Sequence, residues 1–344
     1  MNFPASIPRI ARKRCASTRR NFLCCLVAIG FWFSSEAEVL SEAPFLPGVV
    51  VQFADARTGA AHLHQTDPFI RALSRFDRES RMQTNSSPST EEFRQFASQQ
   101  AMEWEAQEIK RFKTALSAVR ERMAAFSLPL PKTILLIKTT GQEEGDAAYC
   151  RRNAIVIARK IAQNKEGTLE RLLTHELFHI LSSHNAKLRD ALYAQLGFER
   201  MDHFDFPETL KDRKITNPDA PELSHFLRLE HEKQTLAVVP ILYANTDRFD
   251  PAAGKTFFHY LTFRLLVVER DGERWRARMR DNGLWLLDPA NVPAFHRHVG
   301  RNTKYILHPE EVLADNFVFL MFGKSDLPNP EIPQRMRELL RKAQ

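Results

Sequence analysis

Between Ser89 and about Phe126 the apolar residues Phe93, Phe96, Trp104, Ile109, Phe112, Leu116, Val119 and Met123 recur at helical spacing, with no Gly or Pro among them. The pattern predicts one long helix. Ser89-Thr90-Glu91-Glu92 marks its start, with the Ser side chain capping the first turn and Glu92 reaching back three residues. Leu128-Pro129-Leu130-Pro131 ends it. Strands are predicted over Gly48–Ala54, Thr133–Lys138 and Asn153–Arg159, with a turn at Gly141–Gly145. A second helix opens at Gly167-Thr168, with Thr168 as the expected N-cap, and carries Leu169, Leu172, Leu173, Leu177, Ile180 and Leu181.

Further on, Leu236–Ala244 and Phe257–Glu269 read as strands. Asp271-Gly272 is a turn from which Arg274–Arg280 pairs back as a hairpin. Thr216–Pro221 is a loop. Pro309 to about Phe322 and Pro330–Lys342 are helices, the last one polar and amphipathic. There is no internal repeat.

The chain has 344 residues, of which 43% are hydrophobic, so a sizeable core is available. Its formal net charge of +7 invites a polyanionic partner, but the charge is not spread evenly. Of 49 basic and 42 acidic residues, six basic and one acidic lie in residues 1–37. That leaves 43 against 41, and no basic stripe for nucleic acid. Residues 1–37 read as a cleaved leader: a basic region, an apolar run from Phe22 to Phe33 and the small-x-small site Ser35-Glu36-Ala37. The run falls short of the roughly 20 residues a membrane-spanning helix needs. No stable membrane span is expected after cleavage, and an uncleaved anchor is the alternative.

Thr18-Arg19-Arg20-Asn21-Phe22-Leu23 resembles the twin-arginine export motif, with Cys24 where Lys is usual. The protein is thus expected to be exported, to a periplasm or beyond. Cys15, Cys24 and Cys25 belong to the leader. Cys150 alone remains, which excludes an intramolecular disulfide and a cysteine-based zinc site.

The chemistry concentrates in His175-Glu176-Leu177-Phe178-His179, a His-Glu-x-x-His pattern. Residues four apart on a helix share a face, so both imidazoles can reach one metal ion, with Glu176 beside them as general base. Two histidines and a glutamate in an otherwise apolar helix need a reason, because burying polar groups without partners costs free energy.

A third ligand is required for a catalytic metal. Glu310-Glu311-Val312-Leu313-Ala314-Asp315 resembles the second metal helix of the gluzincin metallopeptidases, the group of thermolysin-like and neprilysin-like enzymes. By that resemblance Glu311 is the third ligand and Asp315 supports a zinc histidine, with Glu310 as the fallback ligand. The resemblance covers only the two helices and, loosely, the strand before the first. It implies one Zn2+, a peptide or protein substrate laid along an edge strand within Ala147–Ile157, and a His or Tyr donor for the oxyanion.

Candidates for that donor are Tyr305 and His308, then Tyr243, His259 and Tyr260. The pairs His62/His64 and His296/His298 are weaker metal candidates, each expected on one side of a strand. The expected fold is α+β and zincin-like over 38–344, with 185–305 as a β-containing inserted subdomain. The expected activity is hydrolysis by a zinc-activated water. The rivals are a zinc hydrolase of non-peptide amides or esters and a non-catalytic zinc-holding envelope protein.

Overall fold

The computed structural model describes residues 41–342, an α+β arrangement in which helices pack on two large sheets, with a further two-stranded one beside them. The leader expected over residues 1–37 lies outside the described residues.

The first sheet begins with β1 (Glu42–Pro44) and β2 (Val50–Phe53). Three short helices follow: α1 (Ala56–Leu63), α2 (Pro68–Ala72) and α3 (Arg75–Arg81). The helix expected from Ser89 to Phe126 is two helices, α4 (Thr90–Ser98) and α5 (Ala106–Met123), with the short strand β3 (Ala101–Met102) between them. The capping box at Ser89 and Glu92 forms as expected, and a second one, Glu105 with Glu108, starts α5. The break needs no Gly or Pro. Ala101 and Met102 pair instead with Thr139 and Lys138 of β4 (Thr133–Thr139), and Trp104 packs edge-on against Phe53 and Phe112. Tertiary pairing here overrides helical periodicity.

After β4 come β5 (Tyr149–Arg151) and β6 (Ala154–Ala158). The sheet order is β1-β2-β4-β6-β5, with β2, β4 and β6 parallel and β5 antiparallel at the edge. Ala147–Ile157 is therefore a tight hairpin rather than one strand. It turns at Arg152, whose backbone is left-handed (φ 55°), and only β5 is an edge. Side chains alternate along β6: Ile155 and Ile157 face the main core, Ala154 and Val156 the opposite face beside Leu63 of α1.

A short helix, α6 (Arg159–Ala162), leads to α7 (Glu166–His184), which carries the histidines. It starts two residues before Thr168. Lys165 occupies the N-cap position and makes no side-chain cap, so Thr168 lies inside the helix. Asn185 ends α7, its side chain donating to the Leu181 carbonyl at 2.7 Å. Phe178, Leu173, Leu177, Ile180 and Leu181 are fully buried, each contributing roughly 1.5–3 kcal/mol by leaving water.

Segment 185–305 opens with α8 (Ala186–Ala194) and then builds the second sheet. Its strands are β7 (Phe198–Arg200), β8 (Phe204–Asp205), β9 (His225–His231), β10 (Gln234–Ala244), β11 (Leu261–Asp271) and β12 (Arg274–Ala277). They run in the order β7-β9-β10-β11-β12-β8. β11 starts later than expected, because Phe257–His259 is a 3-10 turn. One face of this sheet (Leu227, Leu229, Val238, Leu265, Val267) shares the core under α7. The other (Phe226, Val239, Ile241, Leu266, Val268) closes on Met201 and Leu210. The segment therefore lacks a fully separate core. The chain ends with α10 (Pro293–Val299), preceded by the one-turn α9 (Glu208–Lys211), and then α11 (Pro309–Met321) and α12 (Glu331–Lys342). α11 lies against α7 and is buried almost throughout.

Candidate metal centre

α7 and α11 bring their polar faces together inside the core. The nearest ligand atoms of His175, His179 and Glu311 all lie within 4.8 Å of one another. Glu311 Oε2 is 3.3 Å from His175 Nε2 and 3.7 Å from His179 Nε2. Two ligands of a tetrahedral zinc, each about 2.0–2.1 Å from it, stand about 3.4 Å apart. The spacing thus suits one divalent ion. His179 Nε2 is buried, faces the centre and has no hydrogen-bond partner among the described residues.

The outer atoms are held firmly. His175 Nδ1 is 3.2 Å from Asp315 Oδ1, and the other oxygen of Asp315 accepts from the Thr303 hydroxyl. His179 Nδ1 is 2.9 Å from Glu310 Oε1. Glu310 Oε2 accepts from Ser182 Oγ (2.8 Å) and the Tyr193 hydroxyl (2.6 Å). Glu310 therefore sits on the outer, Nδ1 side of the His179 ring, while Glu311 faces its Nε2. One residue along a helix turns the side chain by about 100°, which takes it from the inner to the outer side of the imidazole. Such carboxylate partners fix ring tautomers so that Nε2 is free for a metal. Asn217 Nδ2 donates to Glu311 Oε1 at 2.6 Å and leaves Oε2 for the centre.

The electrostatics fit a cation. Burial disfavours charge on His175, but hydrogen bonds to Asp315 and Glu311 outweigh it and raise its pKa to about 9. Burial likewise opposes charge on His179, yet the carboxylates of Asp219 and Glu311 hold it well above the usual range. Burial pushes Glu311 up, but His179 and His175 outweigh that and bring it down to about 2. Without metal the cluster therefore holds protons where a metal would place its charge. Metal binding would displace them, because a ligating imidazole must be neutral.

Glu176 belongs to a second group beside the first, with Cys150 and Asp219. Cys150 Sγ is 3.3 Å from Glu176 Oε2, and Asp219 Oδ1 accepts the Cys150 N–H at 2.7 Å. That N–H lies on the free side of edge strand β5. Burial raises the Cys150 thiol, and Glu176 adds to it.

The expected oxyanion donors separate. Tyr305 stacks 6.5 Å from the His175 ring at an interplanar angle of 19°, and its backbone N–H donates to Thr303 Oγ1. Its side chain remains exposed, 42% accessible, at the edge of the site. His308 instead caps α11, its Nδ1 accepting the Glu310 N–H at 3.2 Å, and burial lowers its pKa to about 4. Tyr243 packs on the second-sheet cluster, with Arg213 over its ring. Tyr260 lies in another apolar cluster with Phe76 and Phe249, and His259 sits in the 3-10 turn beside it. His62 lies on α1 with His64 at its C-cap, and His296 and His298 lie on α10, none of them on a strand.

Residue patterning missed Tyr193, Thr303, Asn217 and Asp219. Ser182 was open to discovery, one turn beyond His179 on the same helix face. No protein-family model, curated protein or solved structure matches the chain.

Proposed function

We propose that the protein is a zinc-dependent hydrolase of the gluzincin type, acting on peptide bonds, with a zincin-like arrangement of α7, α11 and edge strand β5. The observation that carries this reading is the convergence of His175, His179 and Glu311, with a buried, unpartnered Nε2 on His179. Zinc bound there would polarise a carbonyl and lower the pKa of a water to about 7. Asp315 and Glu310 hold the two imidazoles in the ligating tautomer. Glu176, one residue along α7 from His175, takes a proton from the attacking water and passes it to the leaving amine. The Cys150 N–H on β5 pairs with a substrate carbonyl once Asp219 yields it. Tyr305 is the donor that meets the developing oxyanion.

Glu176→Gln retains zinc and lowers turnover by at least about 100-fold, the usual worth of a positioned general base. Full activity in that variant would sink the mechanism. Profiling a peptide library separates a peptidase from a hydrolase of other amides or esters. One observation favours a non-catalytic alternative. Asp219 lines the same cavity as His179, and as a fourth ligand it would close the site. Asp219→Ala then removes zinc in the closed reading and leaves it bound in the hydrolase reading.

The leader pattern supports export, and no described helix is long and apolar enough to cross a membrane. Detection of the chain in the periplasmic or culture fraction, with an N-terminus near Glu38, tests it.

A further inference from the structure

Beside the centre lies a cavity of about 480 Å³ that His179 and Ser182 share with Arg152, Arg189 and Glu222. Its size is that of a small-molecule or side-chain site. We infer that this cavity binds a carboxylate of the substrate, held by Arg189 with Arg152 also on the lining. The inference rests on the hydrolase reading for its word "substrate", but not for the binding itself.

Arg189 carries the argument. It sits one turn before Tyr193 on α8, so the two side chains share the helix face that lines the cavity. Its Nε is buried and has no hydrogen-bond partner among the described residues. The nearest carboxylate, Asp190 Oδ1, is 4.0 Å from that Nε, beyond hydrogen-bond reach. Asp190 is also shared, at 3.3 Å from Arg200 and 3.1 Å from His225. A guanidinium is always charged and matches a carboxylate with two parallel hydrogen bonds, so one that lines a cavity with no carboxylate in hydrogen-bond reach favours an anionic ligand.

The other charges on the wall do not oppose this. Each guanidinium nitrogen of Arg151 already has a partner, Asp67 (2.7 Å) and the Leu63 and Gln65 carbonyls, and the Arg151–Asp67 pair is neutral as a unit. Asp219 is at the metal end, bonded to the Cys150 N–H. Glu222 is exposed, where water and salt screen it. Arg152 is exposed at the tip of the β5–β6 turn, on the strand that would align the substrate. The carboxylate can come from an acidic side chain near the scissile bond or from a free C-terminus.

Four N-acetylated, fluorophore-labelled pentapeptides distinguish these sources on the zinc-loaded full chain carrying Glu176→Gln, which reads binding without turnover. Two are C-terminal amides with Glu or Gln in the middle. Two have neutral side chains and end as acid or amide. Fluorescence anisotropy is expected to give at least about 10-fold tighter binding of the carboxylate member in one pair, a difference of about 1.4 kcal/mol. Arg189→Ala is expected to erase that ratio, and Arg152→Ala, at an exposed turn, to reduce it.

Equal binding within both pairs, no binding of any peptide, or a ratio that survives Arg189→Ala in a folded, zinc-retaining protein overturns the inference. Cleavage assays with unsubstituted Glu176 tell the two failures apart. Peptides cleaved at equal rates defeat the carboxylate site and leave the hydrolase reading. A binding preference without any cleavage defeats the hydrolase reading and leaves the site.

Discussion

Two buried polar clusters in this molecule look alike and differ in one respect. Around Arg81 every guanidinium nitrogen has a partner. Nε and Nη2 donate to Glu144 at 2.7 Å, Nη1 to Asp77 at 2.6 Å, and Nη2 also to the Thr216 carbonyl. Asp77 in turn accepts from the Thr216 N–H and hydroxyl. Around His175, His179 and Glu311 the outer atoms are just as well held, but His179 Nε2 has nothing. A satisfied cluster fixes the fold, here by pinning the start of the Thr216–Pro221 loop. A cluster satisfied everywhere except at its centre is built to receive something. The first holds the loop from which Asn217 and Asp219 reach the second.

The largest effect comes from breaking the satisfied cluster. Arg81→Met strands Asp77 and Glu144 in the interior and lowers unfolding free energy by about 3–5 kcal/mol, measured by urea denaturation. A loss below about 1 kcal/mol would mean that the cluster is not structural.

Glu143 sharpens the distinction. Its Oε2 is buried without a partner too, yet among the described residues no group of metal-ligating side chains forms around it. Burial raises its pKa from 4.5 to about 7, against bonds from Thr139 and Tyr149. A carboxyl raised in the fold is protonated there while the unfolded chain has released its proton. Its contribution is present below pH 4.5 and is lost as pH rises towards 7, by up to about 3 kcal/mol. Glu143→Gln flattens this part of the stability–pH curve, and an unchanged curve would remove Glu143 as its source.

Zinc acts next. At a free concentration 100 times its dissociation constant it stabilises the protein by about 2.7 kcal/mol. Glu311→Gln abolishes that gain while leaving metal-free stability within about 1 kcal/mol, because the shape is kept. Melting curves with and without zinc check both halves. Asp315→Asn and Glu310→Gln weaken zinc by about 10–100-fold through the histidines they orient. Asn217→Ala, which loses one hydrogen bond to Glu311, is expected to weaken it by less than about 10-fold. Competition with a chelating dye orders these three, and an Asn217 effect larger than the other two would contradict the assigned roles.

How much of this was legible in the sequence depends on how local each feature is. The face shared by His175 and His179 follows from helical period alone, as does that of Glu311 and Asp315. The opposed roles of Glu310 and Glu311 depend on how α11 is rotated against α7, which a one-dimensional pattern does not carry. Asn217 and Asp219 reach the centre because Thr216 bonds to Asp77, 139 positions earlier. Nothing in Thr216–Pro221 itself tells more than that it is a loop. The break between α4 and α5 is hidden for the same reason, since its cause is the pairing of Ala101 and Met102 with β4. Only Glu105 and Glu108 hinted at a second helix start.

The central claim is that His175, His179 and Glu311 hold one catalytic metal. Anomalous diffraction at the zinc edge, from crystals of the zinc-loaded protein, tests it most directly. The account predicts a single strong peak about 2.0–2.2 Å from His175 Nε2, His179 Nε2 and Glu311 Oε2, with the remaining position open to solvent. A peak elsewhere, or one closed by Asp219 as a fourth protein ligand, would contradict it.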